Sequence, residues 1–462
     1  MTNLQVILLL GLTALLDACS QADDRILPPL VLLTVDTLRA DHLGCYGYEK
    51  PVSPHIDALA AEGIRFDNAV APRPSTAPSM ASALTGLYAH HHGVRQNCTL
   101  LDESLFSLPE YLVSRGYECA AFVSNYVLTQ ELSGLNQGFD HFDDLLPDKE
   151  PNRESYERKA GATVDRVLAW LAARDSDKPL FLWVHLIDPH GPYTPPEGFA
   201  ERFPHGPAKE LSRDLIPDYQ FRDTLDLNDY LSRYDGEIAY CDEEIGRLVA
   251  GLKEADLYES GAILFHADHG ESLGEHGAWF RHGQDLFGPC VRIPFVLKLP
   301  EGTPGPHMAA SDVLVSVLDV TPTLLELAGV GDPPELDGGS LLPVLAGDRR
   351  DGLELFMERK RARGFTVVGL RTATDLTLLH FRPSKEGTLA TEFFSVSNGI
   401  ETKLEDPEAR MLRESRLKGW LKQVSSFELP FTPRDVSPTG GLLNSEERAN
   451  RLEALRGLGY AE

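Results

Sequence analysis

Unbroken apolar runs alternate along the chain with segments whose apolar residues recur every three or four positions. Short apolar runs are typical of strands buried on both faces of a parallel sheet. Apolar residues that recur every three or four positions predict amphipathic helices. The predicted strands are residues 30–35, 65–70, 119–124, 179–186 and 262–266, and the predicted helices are residues 54–63, 104–115, 158–173 and 228–255. The alternation predicts an α/β fold that contains parallel strands.

Two regions break this pattern. Residues 197–228 are polar, contain Pro and show little periodicity, which predicts a surface insertion or a lid. From about Gly352 onward, residues 366–371 and 377–381 alternate apolar and polar positions, and charged helical segments follow from Glu405. The change predicts a smaller C-terminal part with a different architecture.

Composition limits the class of protein. The chain has 462 residues, of which 42% are hydrophobic, and this is enough for a large α/β domain with an appendage. Its 70 acidic residues outnumber its 43 basic residues, which gives a formal net charge of −27. A charge of this sign disfavours binding to nucleic acid or to another polyanion, so we expect a small or locally neutralised substrate.

The N-terminus predicts export. Residues 4–16 form an apolar run that is short for a membrane span, and the run ends in Leu16-Asp17-Ala18-Cys19-Ser20, which resembles the lipobox of bacterial lipoproteins. We therefore expect residues 1–18 to be a signal peptide and a lipid on Cys19 to anchor the mature protein to a membrane, facing the periplasm or the cell surface. An ordinary cleaved signal or a wrongly assigned start would explain the same residues.

Five further cysteines follow, and their spacing does not match a disulfide framework or a structural metal site. Their odd number prevents complete internal pairing, and no CxxC spacing indicates a structural metal site. We expect mostly buried thiols, with room for one disulfide, among Cys45, Cys98, Cys119, Cys241 and Cys290.

Ionisable residues follow three of the predicted strands. Asp36 follows the first strand, His190 lies just beyond residues 179–186, and Asp268 and His269 follow residues 262–266. Because ligands collect at the carboxyl ends of parallel strands, these residues are candidates for metal binding or catalysis. An Asp and a His in sequence can reach one metal where the chain bends away from a strand. A capping role for Asp36 and a structural role for His190 stay open at this point.

A hydroxyl lies at the start of one short predicted helix. In the sequence PRPSTAPSMASALTGLYAHHHGVR (72–95), Pro78 suits the first helical position and Gly86 suits the position just after the last turn. Thr76 therefore lies where unpaired N–H groups and the helix dipole stabilise an anion. A Thr that only caps the helix would give the same pattern.

Several motifs, taken in order, resemble the sulfatase family of the alkaline phosphatase superfamily. The similar segments are residues 33–48, 75–94, 181–193, 233–246, 266–277 and 319–329, and the ending LEALRGLGY. The resemblance implies a large, mixed but mostly parallel sheet between helices, with a smaller C-terminal α+β subdomain that contains an antiparallel sheet. It divides the chain into a catalytic domain, residues 27–351, and a C-terminal subdomain, residues 352–462.

The resemblance also implies a metal site and catalytic groups. It places Asp36, Asp268 and His269 as ligands of a divalent cation, and Thr76 at the nucleophile position and in the same ligand set. This mixed nitrogen and oxygen set favours zinc or manganese, while calcium or magnesium stay open.

Two histidines complete the site that the resemblance implies. His190 falls where relatives contact the ester oxygen or the leaving group. His282 falls where relatives keep a basic residue for the bound anion.

Three departures from the family pattern affect the expected mechanism. Formylglycine sulfatases need Cys or Ser in C/S-x-P-x-R, whereas this chain has Thr76 and, in place of the arginine, Met80. Thr37 replaces the second residue of an Asp-Asp pair, and Ser124-Asn125 stands where relatives carry a sulfate-binding lysine. We therefore expect no formylglycine.

Three functions stay open. The first is hydrolysis or transfer of phosphate or phosphonate esters through unmodified Thr76, which needs a metal because its hydroxyl ionises far above neutral pH. The second is sulfuric ester hydrolysis without formylglycine. The third is a non-catalytic binding protein with a relic site. The expected substrate is a small-molecule, glycan or lipid-headgroup ester, and nucleic acid is excluded as a partner.

Overall fold

A nine-stranded sheet forms the centre of the protein. The computed structural model describes residues 27–149, 155–303, 309–330, 335–361, 365–381 and 388–424. The predicted signal peptide and Cys19 lie outside the described residues. Within the described residues, none of the helices combines the length and the apolar character that crossing a membrane requires.

The central sheet is mixed but mostly parallel, as predicted. Its strands are β1 (Leu30–Val35), β2 (Ile64–Val70), β3 (Glu118–Val123), β4 (His141–Asp143), β5 (Leu180–Leu186), β6 (Ala262–Ala267), β7 (Arg292–Ile293), β8 (Phe295–Lys298) and β9 (Ala310–Ser316). Their order is β7-β2-β8-β6-β1-β5-β3-β4, and β9 pairs with β2. Strand β1 is parallel to both β5 and β6, whereas β8 runs antiparallel to β6 and β2.

Helices cover the apolar strands. All residues of β1, β5 and β6 are buried, so the sheet needs protein on both faces. The helices are α1 (Pro54–Glu62), α2 (Thr76–Thr85), α3 (Leu108–Ser114), α4 (Ala160–Ala173), α5 (Leu227–Glu254) and α6 (Val320–Leu327). One-turn helices lie at Ala89–His92, Gln130–Ser133, Gly288–Val291 and Leu342–Leu345, and two small hairpins pair Asp148–Lys149 with Tyr156–Glu157 and Ser272–Leu273 with Trp279–Arg281.

Helix α3 begins later than the predicted residue 104. The Ser107 side chain accepts from the backbone of the first turn, and Glu110 Oε2 accepts the Ser107 N–H at 2.8 Å. This reciprocal capping box fixes the start of the helix, and Pro109 fits the first turn because it has no N–H to leave unpaired.

The C-terminal part contains the predicted antiparallel sheet. Its five strands are β10 (Leu355–Arg361), β11 (Phe365–Arg371), β12 (Asp375–Phe381), β13 (Thr388–Ser397) and β14 (Ile400–Lys403), each antiparallel to the next. Helix α7 (Pro407–Val424) packs on one face through Leu417 and Trp420.

The other face of this sheet packs on the main domain. Apolar residues of both parts form one buried cluster, in which Met357 and Leu378 of the C-terminal sheet join Leu286 and Leu314. The contact also contains charges, because buried Glu358 of β10 pairs with Arg73 at 3.2 Å and with Arg95. The C-terminal sheet is thereby attached to the loop that precedes Thr76.

The five described cysteines are free, so the disulfide for which the sequence left room does not form among them. Cys119, Cys241 and Cys290 are buried in the core. Burial raises the pKa of the Cys241 and Cys290 thiols well above the ordinary value, which keeps them protonated and unreactive.

Candidate active site

The ends of two paired strands place two carboxylates side by side. In the parallel register of β1 and β6, Val35 faces Ala267, so Asp36 and Asp268 leave the sheet at the same edge. His269 follows at once. One ligand atom from each of these three side chains lies within 4.8 Å of the other two, and all three residues are fully buried.

Backbone contacts orient the Asp268 and His269 side chains. Asp268 Oδ1 accepts the N–H groups of Thr37 at 3.1 Å and of His269 at 2.7 Å. His269 Nδ1 lies 2.9 Å from the Gly270 carbonyl oxygen, so Nδ1 is assigned the proton and Nε2 keeps its lone pair.

The same atoms fit a metal. Among the described residues, Asp36 Oδ1 and Asp268 Oδ2 are buried and have no hydrogen-bond partner. Burial and the neighbouring Asp36 charge raise the pKa of Asp268. Two buried carboxylates this close are stable as anions only beside a cation, so the donor set suits a divalent ion.

A polar chain supports Asp36 from behind. Asn125 Nδ2 donates to Asp36 Oδ2, and His185 Nε2 lies 3.5 Å from the same oxygen. His185 Nδ1 in turn contacts Thr34 Oγ1 at 2.8 Å. Burial opposes ionisation, but the imidazoles of His190 and His185 hold the pKa of Asp36 below its ordinary value.

Thr76 is the first residue of α2, and Ser75 occupies the capping position. Ser75 and not Thr76 therefore lies at the cap, and the helix begins two residues before the predicted first position, Pro78. The Thr76 side chain is fully buried, and its Oγ1 lies 3.4 Å from His269 Nε2. The hydroxyl thus lies at the positive end of α2, next to the carboxylate and imidazole cluster.

An amide that the sequence analysis missed lies beside Thr76. Asn97 Oδ1 accepts the Ala77 N–H at 2.9 Å and the Ser75 hydroxyl at 3.1 Å. These bonds fix the amide so that Nδ2 is the donor, and Nδ2 is buried without a partner among the described residues. No local pattern identifies this residue, because it lies in an irregular loop.

The two predicted histidines lie together at the site. The His282 ring centroid is 4.6 Å from that of His269 and 5.1 Å from that of His190. His282 Nδ1 lies 3.3 Å from Glu271 Oε2. Although burial disfavours the charged ring, the Glu271 and Asp36 carboxylates raise the pKa of His282 above its ordinary value.

The positions that depart from the family pattern have other roles here. Met80 is fully buried in the main apolar core, so the missing arginine is replaced by packing. Asn125 contacts Asp36 instead of an incoming anion. Thr37 adopts a positive φ of 54°, with its carbonyl accepting the Tyr234 hydroxyl at 2.8 Å.

The fold and the site together define an ester hydrolase of the alkaline phosphatase superfamily. Residues 28–330 match the family model named Sulfatase, so the chain belongs to the sulfatase family.

Curated relatives agree with this assignment. The chain is 24% identical over 424 residues to N-acetylglucosamine-6-O-sulfatase of Bacteroides thetaiotaomicron, covering 73% of this chain and 75% of the relative. It is 27% identical over 403 residues to choline-sulfatase of Rhizobium meliloti, covering 74% and 76%.

Solved structures share the fold. A structure in complex with its substrate, D-glucosamine-2-N,6-O-disulfate, superposes with a TM-score of 0.71 at 20% identity, covering 87% of this chain and 98% of the other. Phosphonate monoester hydrolase of Agrobacterium radiobacter superposes with a TM-score of 0.68 at 22% identity, covering 87% and 95%.

Proposed function

We propose that the protein is a metal-dependent hydrolase or transferase of phosphate or phosphonate esters that uses unmodified Thr76 as its nucleophile. The observation that supports this best is the position of the Thr76 hydroxyl, 3.4 Å from His269 Nε2 and beside the buried Asp36 and Asp268 carboxylates. Met80 in place of the motif arginine further supports a threonine that is used as it is translated.

Asp36, Asp268, His269 and Thr76 would hold the divalent cation, with zinc or manganese favoured. When bound, the cation supplies positive charge that lowers the pKa of a hydroxyl and offsets charge on the transferring oxygens. The protein keeps these groups dry and correctly oriented through Thr37, Gly270 and Asn125.

The chain's own residues account for two balanced steps. First, a bond forms between Thr76 Oγ1 and phosphorus while the bond from phosphorus to the ester oxygen breaks. Thr76 releases its proton to solvent water, and protonated His190 donates a proton to the departing ester oxygen. Second, a water molecule attacks the phosphorus on Thr76 while neutral His190 accepts a proton from that water. The bond between phosphorus and Thr76 Oγ1 breaks, phosphate leaves, and Thr76 Oγ1 takes up a proton from solvent.

Two groups replace the missing arginine and lysine as anion contacts. They are the Asn97 Nδ2 donor and His282. The unpartnered, oriented donor of Asn97 suits an oxygen of the transferring group.

Replacing Asn97 with Asp tests this assignment. The carboxylate can still accept the Ala77 N–H and the Ser75 hydroxyl, but it presents an oxygen instead of a donor to the anion. We expect kcat/KM to fall by about 100- to 1,000-fold, as when one preorganised donor is lost, with little change in the unfolding temperature. An unchanged kcat/KM would remove Asn97 from the site.

Sulfuric ester hydrolysis is the second candidate, because curated relatives act on sulfate esters by name. Incubation with p-nitrophenyl phosphate, bis-p-nitrophenyl phosphate and p-nitrophenyl sulfate, each with Zn, Mn or Ca, separates the candidates. We expect the highest kcat/KM with a phosphorus ester. A clear preference for the sulfate would favour the second candidate, and failure to turn over any ester would favour a binding protein.

Export, a lipid anchor on Cys19 and the division at residues 351 and 352 stay proposals from the sequence. An anchored enzyme would meet glycan or lipid-headgroup esters outside the cytoplasm.

A further inference from the structure

A turn of the predicted insertion reaches the two loops that contain His190 and His282. The turn, residues 216–222, belongs to the polar segment between β5 and α5. The Tyr219 hydroxyl donates to the carbonyl oxygen of Phe280, two residues before His282. Gln220 Oε1 accepts the N–H of Tyr193 at 3.3 Å, three residues after His190. The turn thus links both loops where they meet at the site.

The turn has a fixed shape. Ile216 is fully buried and anchors its first residue in the main core. The Gln220 N–H donates to the Pro217 carbonyl at 3.1 Å, and Arg222 Nε donates to the Ile216 carbonyl at 3.2 Å. The Tyr230 hydroxyl donates to the Phe221 carbonyl. A side chain on this turn is therefore held in place by helix α5 and by the core.

The Gln220 side chain is buried, and only one end of its amide has a hydrogen-bond partner among the described residues. Gln220 is 2% exposed. Because Oε1 must accept the Tyr193 N–H, Nε2 is the donor end, and it has no hydrogen-bond partner among the described residues. Nε2 lies against Gly191, where an added Cβ would overlap it. A buried donor without a partner is costly, and in native sites a ligand often supplies the missing acceptor.

We propose that Gln220 Nε2 contacts the substrate and selects its alcohol part, donating to an oxygen of a polyhydroxylated alcohol such as a sugar. The inference rests on the proposed function, because it assigns His190 to the leaving-group side. Gln220 lies beside Gly191, the residue that follows His190, so it belongs to the same side. A simple aryl alcohol offers no hydroxyl to this donor.

Replacing Gln220 with Met tests the proposal, since Met has a similar shape but no amide. Glucose 6-phosphate and phenyl phosphate are the paired substrates, or glucose 6-sulfate and phenyl sulfate if the enzyme cleaves sulfate. We expect kcat/KM to fall about 10- to 100-fold for the sugar ester, the effect of losing one buried hydrogen bond, and less than threefold for the phenyl ester. Gly191→Ala should displace the amide and give the same selective loss.

Tyr219→Phe is the matched control on the same turn. It removes the bond to Phe280 but no substrate donor, so both esters should respond equally. An equal loss with both esters in Gln220→Met would show that Gln220 only supports the His190 loop, and no loss with either would show that it contacts nothing in the substrate. Either result would overturn the proposal. Unfolding temperatures of all variants check that each is folded.

A second readout does not depend on turnover. If the wild-type protein hydrolysed none of the four esters, the proposed function would fail, but calorimetry could still compare glucose 6-phosphate with phenyl phosphate. We expect tighter binding of the sugar ester and loss of that preference in Gln220→Met. Equal binding of the two esters by the wild-type protein would contradict the inference itself.

Discussion

Replacing Thr76 with Ala is expected to abolish turnover while the protein stays folded. Thr76 makes no capping bond, so the stability cost is that of a small buried group, about 1 kcal/mol. Loss of a covalent nucleophile typically lowers kcat by several orders of magnitude, roughly 1,000-fold or more. Measuring kcat/KM together with the unfolding temperature should separate the two effects.

Two matched variants sharpen this test. Thr76→Ser keeps the hydroxyl and should retain measurable turnover. Thr76→Cys should not be converted to formylglycine, because Met80 stands where the motif requires arginine. Intact mass after quenching during turnover should show a phosphoryl or sulfuryl adduct on Thr76 if breakdown of the intermediate is slow. Wild-type turnover by Thr76→Ala would mean that water is the nucleophile.

Replacing Asp268 with Asn is expected to weaken divalent metal binding by roughly 100-fold or more. The amide oxygen can still accept the N–H groups of Thr37 and His269, so the local backbone should persist. What disappears is one of the two full negative charges of the cluster. Metal content after dialysis, and the shift in unfolding temperature on adding Zn or Mn, measure the effect.

Asp235→Asn is the control for this change. Asp235 is also a fully buried carboxylate, but it contacts His42 at 2.8 Å and His205 at 2.6 Å, outside the proposed metal site. Its replacement should leave metal content unchanged. Full metal occupancy with normal activity in Asp268→Asn would exclude Asp268 as a ligand.

The sequence predicts those features that depend on chain periodicity and strand ends. Apolar runs buried on both faces identify β1, β5 and β6, and parallel pairing then brings Asp36 and Asp268 to one edge without any knowledge of loop shape. The C-terminal sheet was predictable because its strands alternate apolar and polar residues, although both of its faces are covered, one by the main domain and the other by α7.

Residues placed by irregular backbone were not predictable in this way. Asn97 and Gln220 occupy loops without periodicity, and their roles depend on which neighbours accept or donate in three dimensions. The prediction that α3 begins at residue 104 was wrong. The capping box formed by Ser107 and Glu110 fixes the start of the helix at Leu108, and the residues before it are not helical. His185 lies within an apolar strand, so the sequence pattern gave no reason to assign it to the site. Its contact with Asp36 is seen only in the structure.

The contact between the C-terminal sheet and the main domain makes the two parts difficult to separate. A fragment ending at residue 351 would expose the apolar surface around Leu286 and Leu314 and remove the Glu358 counter-ion of Arg73. Exposed apolar surface of this kind favours aggregation. We therefore expect the two parts to fold together, because the loop that contains Thr76 is attached to residues much later in the chain. Swapping this sheet between relatives would alter the support of the loop that contains Thr76.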